Sequence, residues 1–210
     1  METKPKLISI ISFLTATSIA HANLLANGNF ENQPNYGING DGGYTYMQGT
    51  QIPGWTIESG HAATVHNTNT YPTISGTYSV NTDGEGLNGH NIDMWQSFST
   101  VAGADYTLEY DWLGWSQNIP TLDIRVERMS DSSTVIDDQH DWDNLGVHHM
   151  SLMFGGDGSA YRVRIFNNPE SGFNDNTFIV DNFSLTSSVP EPASLAVLGL
   201  GAFGLMRRRK

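Results

Sequence analysis

A strict alternation of apolar and polar side chains is the feature that most constrains the fold. It runs from Asp105 to Trp112, where large apolar residues occupy one parity and polar residues the other. The same two-residue period recurs over residues 122–127 and 161–165. Successive side chains of a β-strand point to opposite faces of a sheet, so this pattern predicts strands that are buried on one face only.

Further strands are predicted between clusters of glycine, asparagine and aspartate, which favour turns. They cover residues 55–57, 62–66, 77–82, 92–100, 133–136, 148–154 and 177–186. The sequence has no long amphipathic helix and no repeat with a period of 20–50 residues. Ten or so short strands predict an all-β fold, a β-sandwich or jelly roll.

The N-terminus has the features of a secretory signal peptide. Lys4 and Lys6 precede an apolar stretch, residues 7–20, and Ala20-His21-Ala22 offers a cleavage site. We therefore assign residues 1–22 to a signal peptide and residues 23–188 to a secreted domain. The chain has no cysteine, and a domain of this length can build a sufficient core without disulfides.

The C-terminus combines three signals in order. Val189-Pro190-Glu191-Pro192 comes first, then the uncharged residues 193–206, then Arg207-Arg208-Arg209-Lys210. Residues 189–210 thus resemble the PEP-CTERM sorting signal of Gram-negative bacteria. The resemblance implies transient anchoring in the inner membrane through a hydrophobic helix at 193–206. It also implies cleavage near residues 190–192 by an exosortase, a membrane-embedded protease of the cysteine type, and delivery to the cell surface or extracellular matrix.

One feature of this tail departs from an ordinary membrane span. Residues 193–206 number fourteen, whereas a helix that crosses a bilayer needs about 20 residues. Tilt, local thinning of the bilayer and arginines that reach the lipid interface can make up the difference.

The secreted domain is strongly acidic. It contains 20 Asp and Glu residues against four arginines, a formal net charge of −16. Nucleic acid and anionic membranes are therefore poor partners, because both carry negative charge. An acidic polysaccharide would need bridging cations.

Six short motifs resemble galactose-binding-like jelly-roll domains, which include carbohydrate-binding modules. They occur in the family's order at residues 23–31, 52–56, 75–80, 95–98, 103–108 and 178–185. The resemblance implies that fold and gives polysaccharide as an expected partner.

Asp181 is a polar residue in a predicted buried strand. Two-residue parity places it on the face of Ile179 and Phe183, and a buried carboxylate requires a hydrogen bond, an ion partner or a metal. The family resemblance implies a structural Ca²⁺ held by Glu31 and Asp181, and carboxylates suit this cation. The alternative is that Asp181 caps backbone amides at the edge of the sheet.

Aromatic residues are candidates for stacking on sugar rings. Trp55 and Trp112 are expected in the core, because the first lies in a family motif and the second shares parity with apolar residues. The aromatic residues that neither the core pattern nor a family motif assigns to the interior are the candidate ligand-binding residues. They are Trp115 after Gly114, Tyr44 and Tyr46 in a glycine-rich loop, and Trp142 between two aspartates. Packing is the alternative role for each.

The function predicted from these features is a non-catalytic, exosortase-sorted surface protein that binds glycans. One alternative is a purely structural matrix protein, and another is a carbohydrate-active hydrolase that uses carboxylates such as Glu109 or Asp111. The histidines lack the spacing of a zinc site, and no nucleophile elbow is present. The acidic segment 137–146 does not match a calcium loop of the EF-hand type, so we expect it to be a solvated loop.

Overall fold

The computed structural model describes residues 22–32, 44–59, 63–67, 72–82, 92–115, 121–141, 143, 145–168 and 178–188. These ranges contain eleven strands: β1 Tyr44–Met47, β2 Thr56–Ile57, β3 Ala63–Asn67, β4 Tyr78–Asn81, β5 Asp93–Ser99, β6 Asp105–Gly114, β7 Thr121–Arg128, β8 Thr134–Asp141, β9 His148–Gly155, β10 Ala160–Asn168 and β11 Phe178–Ser187. Within the same ranges no residue is helical, and accordingly none belongs to a helix suited to crossing a membrane. The predicted signal peptide up to residue 21 and the tail from residue 189 onward lie outside the described residues.

The strands form two antiparallel sheets. One has six strands in the order β1-β3-β4-β11-β6-β9, and the other has five in the order β2-β5-β10-β7-β8. Strands distant in sequence become neighbours, as when β11 pairs with both β4 and β6. This arrangement confirms the predicted β-sandwich of the jelly-roll type.

The space between the sheets is filled by the apolar parity of each strand. In β6 the four large residues of the alternating segment are between 0% and 4% exposed, as the sequence predicts. Trp55 is also buried, at 1% exposure, and it packs against Phe30 and Phe183 with ring centroids 5.6 Å away in each case. The core assignments of Trp55 and Trp112 are therefore confirmed.

Two segments expected to be loops are strands. Tyr44 and Tyr46 lie on β1, which pairs with β3. A strand is stabilised there because Met47, on the opposite face, packs into the core. The acidic segment that begins at Asp137 continues β8 as far as Asp141. There Ile136 and His140 are the buried positions, and the acids between them do not interrupt the ladder to β7.

Asp181 is buried as predicted, but the prediction that it faces the core together with Phe183 is wrong, because β11 contains a β-bulge between them. Val180 pairs with the inward-facing Trp112, so Asp181 faces away from the space between the sheets. The register then shifts before Ser184, and Asn182 adopts a left-handed backbone with φ 55°. A bulge adds a residue and reverses parity. Phe183 consequently faces the core although Asp181 does not.

The N-terminal segment runs beside the last strand. Asn23 donates a side-chain hydrogen bond to the Phe183 carbonyl at 3.0 Å, and its Oδ1 accepts one from the Leu185 amide at 2.8 Å. The carbonyl of Gly28 accepts a hydrogen bond from the Phe183 amide at 2.9 Å. A Cβ at Gly28 would overlap the Phe183 carbonyl, so this close approach requires glycine.

Candidate functional site

The outer face of the five-stranded sheet concentrates charge and aromatic surface. We name it the arginine face, and it consists of Asp93, Trp95, Asp123, Arg125, Glu127, Asp137, Gln139, Arg162, Arg164 and Phe166. Strand register places these residues in rows across β5, β10, β7 and β8. One row reads Trp95, Arg164, Arg125 and Asp137, and the next reads Asp93, Phe166, Asp123 and Gln139.

Each arginine of this face is held by a carboxylate. Arg164 donates to both oxygens of Asp93, at 2.8 and 2.7 Å, and lies 3.3 Å from Glu127. Arg162 lies 2.6 Å from Glu127, and Arg125 pairs with Asp137 at 2.7 Å. The bidentate contact with Asp93 raises the pKa of Arg164 above its usual range. The three guanidinium groups are therefore fixed in position.

Two aromatic rings lie among the charges. The guanidinium carbons of Arg125 and Arg164 lie 4.6 and 4.5 Å from the centroid of the Phe166 ring. Arg162 lies 5.9 Å from the Trp95 ring, whose indole N–H donates to Glu58 at 2.7 Å. These cation–π contacts stiffen both partners, so the face offers rigid planar groups.

Asp123 is the anomaly of the arginine face. It is fully buried, and neither of its carboxylate oxygens has a hydrogen-bond partner. Burial raises the pKa of Asp123, and the positive charge of Arg125 opposes that rise. The side-chain amide of Gln139, its cross-strand neighbour, is a weak donor toward this carboxylate and also opposes the rise, although its geometry falls short of a full hydrogen bond. A buried polar group without a partner is rare and costly.

The aromatic residues expected to bind sugar lie elsewhere. Trp115 follows β6 at one end of the sandwich and is 49% exposed. Tyr44 and Tyr46 form an edge-to-face pair on the edge strand β1, with centroids 5.4 Å apart. Trp142 lies outside the described residues. The structure therefore does not bring Trp115, Tyr44 or Tyr46 to the arginine face.

Glu31 and Asp181, the predicted calcium ligands, converge on one turn at residues 75–79. Asp181 accepts hydrogen bonds from the amides of Ser75 and Asn182, at 3.2 and 2.7 Å, and from the hydroxyls of Ser75 and Ser79. Glu31 accepts two backbone N–H groups at 2.7 and 2.9 Å from the same turn. These contacts match the capping of backbone amides in the alternative for Asp181, but β11 lies inside the sheet between β4 and β6 and not at its edge.

The chemistry around Asp181 also suits a hard cation. Carboxylate, hydroxyl and amide oxygens surround the turn, with Asn182 Oδ1 2.9 Å from Ser75 Oγ, and calcium prefers such oxygens. Desolvation raises the pKa of Asp181 to about 6 despite its hydrogen bonds. Among the described residues, no three His, Cys, Asp or Glu side chains could hold a metal together. Hydroxyl and carbonyl oxygens would have to supply most ligands.

The carboxylates considered for hydrolysis lie on the outer face of the six-stranded sheet. Asp111 accepts a hydrogen bond from Asn182 at 2.7 Å, and its other oxygen lies 2.7 Å from His149 Nδ1. Glu109 lies two residues before Asp111 on the same strand face. Both oxygens of Asp111 are thus engaged by neighbouring side chains.

A stack of aromatic and imidazole rings closes the open edge between β8 and β9. The Trp112 ring stacks against both His140 and His148, at centroid distances of 4.5 and 4.2 Å. Tyr110 donates from its hydroxyl to Asp138 at 2.6 Å and lies 2.7 Å from His140 Nε2. Burial lowers the pKa of His140, and the nearby His148 adds to this effect, while Asp138 opposes it. His140 is thereby kept neutral near pH 7.

Several solved structures resemble this chain. An arabinose-bound GH51 α-L-arabinofuranosidase superposes with a TM-score of 0.55 at 12% identity, over 80% of this chain and 26% of the enzyme. This chain therefore spans about a quarter of that enzyme's length, and the likeness supports the fold alone. A family 16 carbohydrate-binding module has a TM-score of 0.49 at 17% identity, covering 78% of this chain and 99% of the module. A xylan-binding domain from Paenibacillus barcinonensis has a TM-score of 0.42 at 15% identity, covering 67% and 88%.

Sequence comparison gives the family. No curated protein matches the chain. Residues 188–210 match the PEP-CTERM protein-sorting motif, which confirms the resemblance of the tail and marks the protein for exosortase-dependent sorting to the surface of a Gram-negative bacterium. Residues 23–185 match the description "protein of unknown function (DUF642)", so the chain belongs to the DUF642 family.

Proposed function

We propose that this protein is a non-catalytic glycan-binding protein of the cell surface or exopolysaccharide layer. The signal peptide at 1–22 carries it out of the cytoplasm, and the sorting motif directs it to the surface. The domain between them then holds polysaccharide. The observation that carries the proposal is the arginine face, where fixed charged groups and two aromatic rings form one rigid surface on the five-stranded sheet.

The chemistry of this face suits sugar hydroxyls. Each hydroxyl both donates and accepts a hydrogen bond, and guanidinium and carboxylate groups supply the complementary partners. Hydrogen bonds to ionised groups are stronger than those between neutral groups. Because the ion pairs already fix these side chains, a glycan would order few of them on binding, which lowers the entropic cost. Trp95 adds apolar ring surface for a sugar face.

The glycan proposal is tested by removing Trp95. We expect Trp95→Ala to weaken binding to a soluble neutral polysaccharide at least tenfold, about 1.4 kcal/mol, because the ring contact is lost. Affinity electrophoresis or calorimetry on protein purified from its own host would measure this. Trp115→Ala is the matched control, since Trp115 is also partly exposed but lies at the end of the sandwich.

The same experiment decides between binding surfaces. If Trp115→Ala or a Tyr44→Ala/Tyr46→Ala double variant abolishes binding and Trp95→Ala does not, the glycan site is at the predicted aromatics. If the parent binds no polysaccharide, including the matrix of its own host, only a structural role is left. Sugar release from any of these glycans would instead support the hydrolase alternative.

Calcium binding by Glu31 and Asp181 is a separate proposal, supported by the convergence of both carboxylates on one turn. A ligand that binds only the folded chain stabilises it by about 2.7 kcal/mol at a hundredfold excess over Kd. We expect calcium to raise the melting temperature by roughly 5–10 °C relative to chelator. Glu31→Ala and Asp181→Ala should melt lower and show no calcium response. If calcium does not raise the melting temperature of the parent protein, Glu31 and Asp181 act only as hydrogen-bond acceptors.

The sorting motif predicts processing of the tail. Protein isolated from a host with an active exosortase should lack Arg207–Lys210 and most of residues 193–206, because cleavage is expected near residues 190–192. Mass spectrometry of the intact protein measures this directly. Expression in a host without that enzyme serves as the control and should leave the tail attached and the protein in the membrane. An intact tail in the native host would contradict the assignment.

A further inference from the structure

Asp123 lies at the centre of the arginine face and points out of the core. Its neighbours in β7, Leu122 and Ile124, are both fully buried between the sheets. Alternation therefore directs the Asp123 side chain to the opposite face. Register places Phe166 on one side of it and Gln139 on the other.

The carboxylate of Asp123 lacks the partners that its neighbours have. Asp93, Glu127 and Asp137 each bind a guanidinium at 3.3 Å or less, whereas neither Asp123 oxygen accepts a hydrogen bond. A carboxylate with two vacant acceptor oxygens in a buried position lowers stability. Its two oxygens can accept hydrogen bonds from two hydroxyl groups. Arg125 and Arg164 in the adjacent row make a cation an unfavourable partner.

The charge of the arginine face restricts which glycan it can hold. Four acids, Asp93, Asp123, Glu127 and Asp137, stand against three arginines, and each of the three guanidinium groups is already engaged by a carboxylate. A uronic acid carboxylate would find no guanidinium without a carboxylate partner on this face and would meet like charge. A neutral sugar avoids that repulsion.

We propose, on the basis of the glycan-binding function above, that Asp123 is the specificity-determining residue of the arginine face and accepts hydroxyl hydrogen bonds from a neutral polysaccharide. Asp123 is covered in the chain alone, so a ligand reaches it when a neighbouring side chain moves aside. Gln139 is suited to this movement, because it is exposed and belongs to the edge strand β8. Acidic glycans are excluded by the same set of carboxylates.

The test compares Asp123→Asn with Asp105→Asn. Asp105 is an exposed acid at the start of β6, so its variant changes net charge equally without altering the arginine face. Binding is measured to neutral polysaccharides (xylan, galactan and β-glucan) and to polygalacturonate, all in chelator so that no divalent cation bridges acidic groups. We expect Asp123→Asn to weaken neutral-glycan binding at least tenfold and Asp105→Asn to leave it unchanged. The parent should bind polygalacturonate at least tenfold more weakly than the neutral glycans.

A melting measurement separates recognition from structural support. If Asp123 serves the ligand, Asp123→Asn removes a buried carboxyl group whose oxygens have no partner and should raise the melting temperature at pH 7 or leave it unchanged. A structural role would lower it instead. Neutral-glycan binding that depends on Trp95 but survives Asp123→Asn would overturn this inference alone. If the parent protein bound no polysaccharide at all, the proposed glycan-binding function itself would be wrong.

Discussion

The Asp181→Ala variant is expected to lose about 3–5 kcal/mol of unfolding free energy at pH 5. Asp181 is fully buried and accepts hydrogen bonds from two backbone amides and two serine hydroxyls. Alanine leaves those donors without partners beneath the turn at residues 75–79, and each buried donor left unsatisfied costs about 1–3 kcal/mol. Urea denaturation in the presence of chelator measures the loss. Asp105→Ala is the control and should change stability little, because Asp105 is exposed.

The pH dependence gives this prediction a second readout. Burial raises the pKa of Asp181 to about 6, above the value of about 3.9 for an unfolded chain. A raised pKa means that the stability from this group is complete below about pH 3.9 and is lost as the pH rises through 6. The loss amounts to roughly 2–3 kcal/mol between pH 4 and pH 7. Asp181→Asn, which cannot ionise, should lack this component. Equal pH profiles for parent and Asp181→Asn would contradict the assignment.

The second large effect is expected at Trp112, which joins the two sheets at their open edge. Trp112→Ala should cost about 3–5 kcal/mol, the usual range for a buried tryptophan. The ring is 4% exposed and packs against His140, His148 and Phe178. Trp115→Ala, three positions along the chain, is the matched control and should cost far less, since Trp115 is 49% exposed. Equal losses for the two variants would mean that the stack contributes nothing specific.

The packing around Trp112 and His140 should contribute less to the free energy of unfolding in acid. Burial lowers the pKa of His140 below the value of about 6.5 for an unfolded chain. The stability from neutral His140 is therefore present above pH 6.5 and is lost as the pH falls through the lower folded value. Trp112→Ala exposes His140 to water and should flatten this part of the profile. Denaturation series from pH 4 to pH 8 on both proteins would show it, and an unchanged slope would exclude the effect.

Local patterns were sufficient to predict most of the strands. The alternation in β6, β7 and β10 specifies which residues face the core, because burial of one parity is a property of each strand alone. The motif around Trp55 predicts its place in the core, and the structure agrees. β1 was missed because glycines precede it, while Met47 and pairing with β3 stabilise a strand there. Such pairing depends on contacts between segments distant in sequence.

The candidate site was less accessible to prediction for a related reason. The sequence shows Asp123, Arg125, Arg162 and Arg164 as polar positions in alternating strands, which normally indicates a solvent-exposed face. Only the pairing of β7 with β10 brings them together. The bulge at Asn182 was likewise not predictable from the strand alone. One residue with a left-handed backbone in β11 reverses which face of the sheet the later residues of the strand point to. Arginines two residues apart in one predicted strand, with acids at the same spacing in another, are the sequence signal that could have located the arginine face.

The direction of β11 has a consequence for how the domain is presented outside the cell. The amide of Ser188, the first residue matched to the sorting motif, donates to the carbonyl of Asp105 at the start of β6, and Asn23 lies beside Leu185 near the same end of β11. Trp115 follows the far end of β6, across ten residues, or about 33 Å. Asn23 and Ser188, which lead toward the predicted signal peptide and into the sorting motif, therefore lie at one end of the sandwich. Trp115 and Leu145 lie at the opposite end, so attachment through the sorting motif would leave them at the end of the domain farthest from the attachment point, with the arginine face along its side.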